Sequence, residues 1–436
     1  MKDDHGKMLS TCLTSLRNDL RTHVAPEIQS SLGKETWRLA DLLLMRLIAR
    51  QQIANDARGD TPNGHAPQAN DHGAAEETGG IDAGPLNALI AYEDAIARHV
   101  TRYREEAASA RPQAVDRVTA AQVQAWLARQ SGRHAQAQVS GIREIAGGRS
   151  KRTIIVTLAF EDGAQEGIVI RMDSPRYPTR VADEYPLLER LAQAGVPVPP
   201  PLWFEPDPTV FGHPFIVTRE MPGQPPGTLW GSNAPRPPAV GLAYAQGLAQ
   251  LHAAPLERVA PGEHPTPARM AEQSVDHFEA RWRATTVADS PTMAAGYRWV
   301  RRHLPALSGA TAVVHGDAGL HNFLIDGERL VCLLDWEFAH VGDPAEDLAY
   351  CRNAVESVLP WEQFVAHYEA CGGQHIAPER LQAYTVWKEL RSATLCAEVR
   401  SGLTRGNVDE IGLAVTGIDS FSRFEAKLAR TLLEAL

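Results

Sequence analysis

Cysteine is scarce and unpaired in this sequence. The five cysteines, Cys12, Cys332, Cys351, Cys371 and Cys396, stand far apart and form no Cys-x-x-Cys motif. That spacing excludes a disulfide-framed scaffold and a zinc ribbon, and it suits a reducing compartment. Long apolar runs are missing too. The longest near the start, Leu42 to Ile48, is interrupted by Arg46 and is far too short to span a bilayer. No apolar segment follows the opening Met-Lys-Asp-Asp-His as it would in a secretory leader, so the expectation is a cytoplasmic protein with no membrane partner. Nor is positive charge in excess: 43 Lys and Arg face 53 Asp and Glu, a formal net charge of -10. That balance argues against nucleic acid as a partner while leaving room for a local basic pocket.

What remains is the composition of a folded chain. Hydrophobic residues make up 44% of the 436 positions and charged residues 22%, which suits two or three globular domains. Leu39, Leu42, Leu43, Met45, Leu47 and Ile48 recur at helical spacing. Residues 56–84 are turn formers with almost no large apolar side chain, the mark of a flexible linker, and residues 85–110 return to helix. Residues 1–115 are thus expected to be a helical accessory region serving packing or homodimerisation. Strand signals then begin with Thr153-Ile-Ile-Val-Thr-Leu-Ala-Phe160 and Gly167-Ile-Val-Ile-Arg-Met172, joined by a turn. A helix over about Thr179–Ala194 stops at Gly195 and a proline-rich run, and Phe215 to Glu220 forms another strand. Beyond Ala239 helix predominates, apart from residues 312–337. A small strand-rich lobe over 116–222 and a larger helical lobe over 223–436 make an α+β arrangement.

The chemistry is concentrated between His315 and Glu337. Val313-Val-His-Gly-Asp317 reads as a strand entering a loop, and Asp317 precedes Asn322 by the spacing of a protein-kinase catalytic loop. In such a loop the carboxylate receives a hydroxyl proton, and a neutral amide oxygen holds magnesium without adding charge. Two apolar strands follow around Asp326-Gly327, a short-hairpin signal. A hairpin returns its ends to one place, so Asn322 and Asp335 should meet. Two such oxygens, with ATP phosphates and water, suit octahedral magnesium. A lone His-x-Asp would also fit a structural turn; the hairpin and Asp335-Trp-Glu337 at this offset favour chemistry. Glu337 reads either as a second-metal or substrate ligand or as a structural carboxylate. Asp343-Pro344-Ala-Glu346 reads as a helix start, with Asp343 as cap and Glu346 completing a capping box.

The run His315-Gly-Asp-Ala-Gly-Leu-His-Asn322, then Leu334-Asp-Trp-Glu-Phe-Ala-His-Val-Gly-Asp-Pro344 with Asp347-Leu-Ala349, resembles the aminoglycoside phosphotransferase-like (choline kinase-type) superfamily. Within it the pattern is most similar to the branch holding the kinase domains of acyl-CoA dehydrogenase family members that phosphorylate hydroxyacyl-CoAs. The resemblance runs over about residues 116 to 400. It implies a bilobal protein-kinase-like fold, Asp317 as the base, and Asn322 and Asp335 as magnesium ligands. His315 is then a structural partner of the loop. His321 stands where the family often has a small residue and is a candidate to face substrate.

The same resemblance orders the nucleotide side. Gly147, Gly148 and Ser150 precede the first long strand and fit a phosphate loop, where adjacent glycines let backbone approach phosphate. Lys151 departs from the family's more frequent Asn. Arg171 occupies the place of the kinase strand lysine, with Glu184 as its helix partner. Glu220 and Met221 match the hinge whose backbone receives adenine. His252 reads as a packed histidine. The expected activity is ATP- and magnesium-dependent transfer of a phosphoryl group to a small-molecule hydroxyl, preferably of a hydroxyacyl-CoA or hydroxy acid. An aminoglycoside or macrolide antibiotic kinase and a non-catalytic nucleotide-binding module are the alternatives. A protein kinase is disfavoured because no Asp-Phe-Gly or Ala-Pro-Glu segment follows Asp335.

Overall fold

Alternation of side chains across one antiparallel sheet decides where the cavity of this protein lies. The computed structural model describes residues 118–145, 151–173, 179–227, 236–309, 311–405 and 411–435, with residues 40–49 and a few single positions between 13 and 94. The expected linker over 56–84, apart from Gly84, and the candidates Gly147, Gly148 and Ser150 lie outside the described residues. The chain divides into two compact units, one of residues 116–273 and 303–388, the other of residues 1–115, 274–302 and 389–436.

In the first unit α1 (Ala120–Leu127) starts at Thr119, whose hydroxyl and Gln122 form a capping box. Strands β1 (Gln138–Ile145), β2 (Lys151–Ala159), β3 (Gln165–Asp173), β4 (Pro201–Glu205) and β5 (Phe215–Arg219) form one sheet in the order β1-β2-β3-β5-β4. Every pairing is antiparallel. Because strand side chains alternate faces, Ile154, Val156, Leu158, Ile168, Ile170, Met172, Phe215 and Val217 share one buried face. They pack there with Trp126 of α1, whose ring centroid lies 5.3 Å from that of Phe215. The intervening residues Thr153, Ile155, Val169, Arg171, Ile216 and Thr218 line a cavity on the other face. Helix α2 (Val181–Gln193) follows β3, its first N–H donating to the Asp173 carboxylate at 2.9 Å.

After β5 come α3 (Pro238–His252), α4 (Pro267–Arg283) and α5 (Pro291–Arg302). Strands β6 (Ala312–Val314) and β9 (His340–Gly342) pair around the β7 (Phe323–Asp326) and β8 (Arg329–Leu333) hairpin. Asp326 pairs with Arg329, so the two-residue turn is Gly327-Glu328, one position later than the Asp-Gly signal, with Gly327 at φ 61°. Helices α6 (Ala345–Glu356), α7 (Trp361–Ala370) and α8 (Pro378–Thr404) follow. Tyr244 of α3 stacks on Phe323 at 4.1 Å between centroids and donates its hydroxyl to the Ala318 carbonyl, which fixes the loop before the hairpin.

The second unit has its own polar core. Buried Arg46, in the helix spanning 40–49, pairs with Asp419 and with Glu93 at 3.2 Å. Asp419 sits in a π-helical turn, Thr416–Ser420, ahead of the terminal helix α9 (Phe421–Glu434). Tyr297 and Thr394 share a buried hydroxyl contact of 2.7 Å. Arg391 lies over the Phe278 ring at 5.6 Å. Among the described residues no helix is long and apolar enough to cross a membrane.

At the start of α6, Asp343 accepts the Ala345 N–H at 2.9 Å. Glu346 does not complete the expected box; its carboxylate lies 3.3 Å from His340. Burial pushes the Asp343 carboxyl up to about 6, against the pull of the Ala345 N–H and Arg380. A folded pKa above the unfolded value of about 3.9 means that the ionised group costs stability, increasingly as pH rises from about 4 to 6. Asp343→Asn keeps the acceptor and removes the charge. It should be more stable than the parent by up to about 3 kcal/mol at pH 8 and show no gain at pH 3.5, measured by urea unfolding at both values.

Candidate active site

Arg171 is the hub of the cavity. As an odd-numbered residue of β3 it points away from the Trp126 core. Its Nη1 pairs with the buried Glu184 of α2, and its Nη2 donates to Asp335 Oδ1 at 2.5 Å. Burial works against the guanidinium charge, but Glu184, Asp335 and Glu337 outweigh it and raise its pKa. Burial pushes the Glu184 carboxyl up from its ordinary value, with Arg171 pulling it back, Asp335 adding to the rise and Lys151 opposing it.

Asp335 adopts φ 64°, the only left-handed residue other than glycine among the described residues. Aspartate tolerates this region better than most side chains, and such outliers cluster where geometry is functionally constrained. The bend follows β8 directly. Leu334 N–H donates to the Asn322 carbonyl at 2.6 Å, so the two hairpin ends are joined. Asn322 Nδ2 donates to the Asp317 carbonyl at 2.9 Å and to Asp317 Oδ2 at 2.8 Å. The Asn322 amide oxygen and the second Asp335 oxygen are hard donors of the kind magnesium prefers. No group of three or more His, Cys, Asp or Glu among the described residues could hold a metal unaided. The donor set therefore fits a magnesium ion that completes its shell with phosphate oxygens and water.

Asp317 is held from several sides. His321 Nε2 lies 3.7 Å from its Oδ2, and the Tyr350 hydroxyl reaches the same carboxylate. Burial opposes its ionisation, yet His321, Tyr350 and His315 together hold its carboxyl below the ordinary value. The loop itself is shaped by Asp347, wholly buried in α6. Its oxygens accept the N–H of His315 at 2.7 Å and of Gly316 at 2.9 Å, and His252 Nε2 lies 3.0 Å away. Gly316, at φ 76°, passes so close to the Phe338 carbonyl that a Cβ would collide. His315 reaches the Leu334 carbonyl at 2.7 Å, which ties the loop to the segment bearing Asp335.

The apolar end of the cavity, of about 440 Å³, is lined by Ile155, Val169, Ile216 and Leu324. Glu220 and Met221 border it. The Glu220 N–H is committed to the Gly167 carbonyl at 2.8 Å.

The phosphotransferase enzyme family model, APH, matches residues 141–384, more than half of the chain. The chain belongs to that family. Among curated relatives, acyl-CoA dehydrogenase family member 10 of Mus musculus is 31% identical over 172 residues, which is 38% of this chain and 16% of that protein. Acyl-CoA dehydrogenase family member 11 of Homo sapiens is 27% identical over 171 residues, 38% of this chain and 22% of that one. This phosphotransferase therefore spans less than a quarter of either relative's length. A solved Ralstonia eutropha protein, named provisionally as an aminoglycoside phosphotransferase, matches with TM-score 0.56 and 17% identity over 73% of this chain and 99% of its own. A thermostable mutant of aminoglycoside phosphotransferase APH(4)-Ia matches with TM-score 0.50 and 18% identity over 68% of this chain and 96% of its own. At that identity the likeness is one of fold, the bilobal kinase-like fold, and family membership makes the protein a phosphotransferase enzyme.

Of the sequence candidates, the cavity brings together Arg171, Glu184, Glu220, Met221, Asn322 and Asp335. Asp317 and His321 adjoin it through Asn322. Glu337 turns elsewhere, toward Thr179 and Lys151. Two residues that hold the loop carry little signal in the sequence. Asp347 is marked only by the family pattern, and Tyr350 by nothing except its place three residues beyond Asp347 on the same helical face. His252, expected to be packed, is packed and also links Asp347, at 3.0 Å from its Nε2, to the Tyr368 hydroxyl, at 2.9 Å from its Nδ1. Asp347→Ala would strand two buried N–H groups and His252 and should cost about 3–5 kcal/mol. Chemical denaturation measures this, and an unchanged midpoint would refute the role.

Proposed function

We propose that this phosphotransferase moves the γ-phosphoryl group of ATP to a hydroxyl of a hydroxyacyl-CoA or related hydroxy acid. One observation carries the reading: the Arg171–Asp335 pair and the Asn322–Asp317 pair are brought together beside an apolar cavity by the Leu334 N–H, next to Asp335, donating to the Asn322 carbonyl. The apolar walls would hold adenine, with the Glu220 carbonyl and Met221 N–H at its polar edge. Arg171, permanently charged and forked, would bind phosphate oxygens without leaving Glu184. Magnesium held by Asn322 and Asp335 would neutralise charge on the transferring phosphates. Asp317, kept ionised by its neighbours, would orient the acceptor hydroxyl in line with the γ-phosphorus and take its proton as the new O–P bond forms and ADP leaves. Catalysis is then mainly positioning. The likeness to relatives named as acyl-CoA dehydrogenases supports an acyl-CoA acceptor. In this reading the N-lobe covers residues 116–222, the C-lobe residues 223–436, and residues 1–115 are an accessory region.

Asp317→Asn preserves shape and removes the base. It should lower kcat by about 10²–10⁴-fold and leave ATP affinity within about threefold, read by ADP release and equilibrium nucleotide titration. Wild-type turnover in this variant would refute the assignment. An ADP-release screen should find turnover with hydroxyacyl-CoAs or hydroxy acids and none with aminoglycosides or macrolides. Turnover with antibiotics alone would reassign the acceptor, and none with any would favour a nucleotide-binding module.

A further inference from the structure

Lys151 opens β2 and is directly preceded in sequence by Gly147-Gly-Arg-Ser150, the place of a phosphate loop. Its side chain, however, is buried, 2% exposed. The Nζ donates to the Thr179 carbonyl at 2.6 Å and lies 2.9 Å from the Thr179 hydroxyl. It sits 3.4 Å from Asp173 Oδ1, its cross-strand partner, and 3.7 Å from Glu337 Oε2. The Thr179 hydroxyl donates in turn to Glu337 Oε2 at 2.9 Å. Glu337 itself is only 6% exposed.

These contacts run parallel to the Arg171 bridge. Arg171 of β3 holds Asp335, and Lys151 of the neighbouring strand holds Glu337, two residues further on. Asp173 joins the two, because it faces Lys151 and accepts the N–H that starts α2, the helix carrying Glu184. A segment bearing a left-handed Asp335 is thus gripped at its bend and again two residues beyond it. A carboxylate whose oxygen is already engaged by a hydroxyl and an ammonium group in a buried site is poorly placed to leave them for a metal.

We propose that Lys151, Thr179 and Glu337 form a strut that positions Asp335, and that Glu337 is a positioning residue and not a ligand of a second metal. The proposal rests on the phosphotransfer reading for its kinetic consequence, but the strut itself can be tested without metal or substrate. The experiment is a double-mutant cycle of Lys151→Gln, Glu337→Gln and the double variant in the full chain. The first readout is urea unfolding with neither magnesium nor nucleotide. The effects of the single variants on the unfolding constant should be non-additive by about tenfold, and Lys151→Arg should restore most of what Lys151→Gln loses. The second readout is kinetic. Each single variant should lower kcat by about 10–100-fold, as loss of support behind a ligand does. The acceptor KM should stay unchanged, and half-saturating magnesium should shift by the same factor in both. Additive unfolding effects would overturn the strut. So would a magnesium requirement raised by Glu337→Gln and untouched by Lys151→Gln. If the wild-type chain releases no ADP with any acceptor, the phosphotransfer reading fails while the unfolding cycle still decides the strut.

Discussion

A single guanidinium that cannot lose its charge sets the terms for the rest of the site. Arg171 is largely enclosed, and a cation withdrawn from water is tolerated only where carboxylates surround it. The chain meets that demand from two separate places, Glu184 from the helix after β3 and Asp335 from the end of the β8 hairpin, with the charge of Glu337 adding to them from its own place beside Lys151. The two contacting carboxylates have to be delivered to the same point. The requirement explains why α2 begins where it does, on the Asp173 carboxylate, and why the chain turns left-handed at Asp335 instead of continuing the strand.

Delivery of these groups depends on the sheet's period of two. One register step in β3 would send Arg171 into the Trp126 core and expose Ile170 to the cavity, so the hydrophobic face that folds the lobe also aims the cation. The loop from His315 to Asn322 is fixed in a comparable way. Asp347 supplies two acceptors to consecutive backbone N–H groups, and His315 then carries that constraint to Leu334. Packing and chemistry thus share residues, and the loop has little freedom to place Asp317 elsewhere.

Much of this could be read before any coordinates, wherever local pattern and tertiary position coincide. The even-numbered apolar residues of β2 and β3 announce both strands, and the Asp317–Asn322 spacing with a hairpin after it brings Asn322 beside the Asp335 segment. Other elements carry weak local signals. Strand β4 lies in a run that opens Pro-Pro-Pro201-Leu-Trp and reads as irregular, because its partner β5 supplies the reason to extend. Strand β1 mixes Gln, Ser, Gly and Arg and is half exposed, so alternation is blurred at that edge. In sequence Lys151 stands out only as a departure from the family's phosphate loop. Its burial against Asp173 depends on a strand pairing twenty-two residues away, which no local window contains.

The choice of arginine at position 171 follows from the same geometry. Two carboxylates approach it from different elements, and they meet different nitrogens, Glu184 at Nη1 and Asp335 at Nη2. A planar fork can satisfy both at once, because its five N–H groups point outward in one plane. A lysine ammonium is a point charge and would have to favour one carboxylate or sit between them. Lys151, by contrast, meets a compact cage of Thr179, Asp173 and Glu337, which suits an ammonium with three donors at one atom. The two cations differ in kind because the carboxylates they gather differ in arrangement: spread along a plane for one, converging on a point for the other.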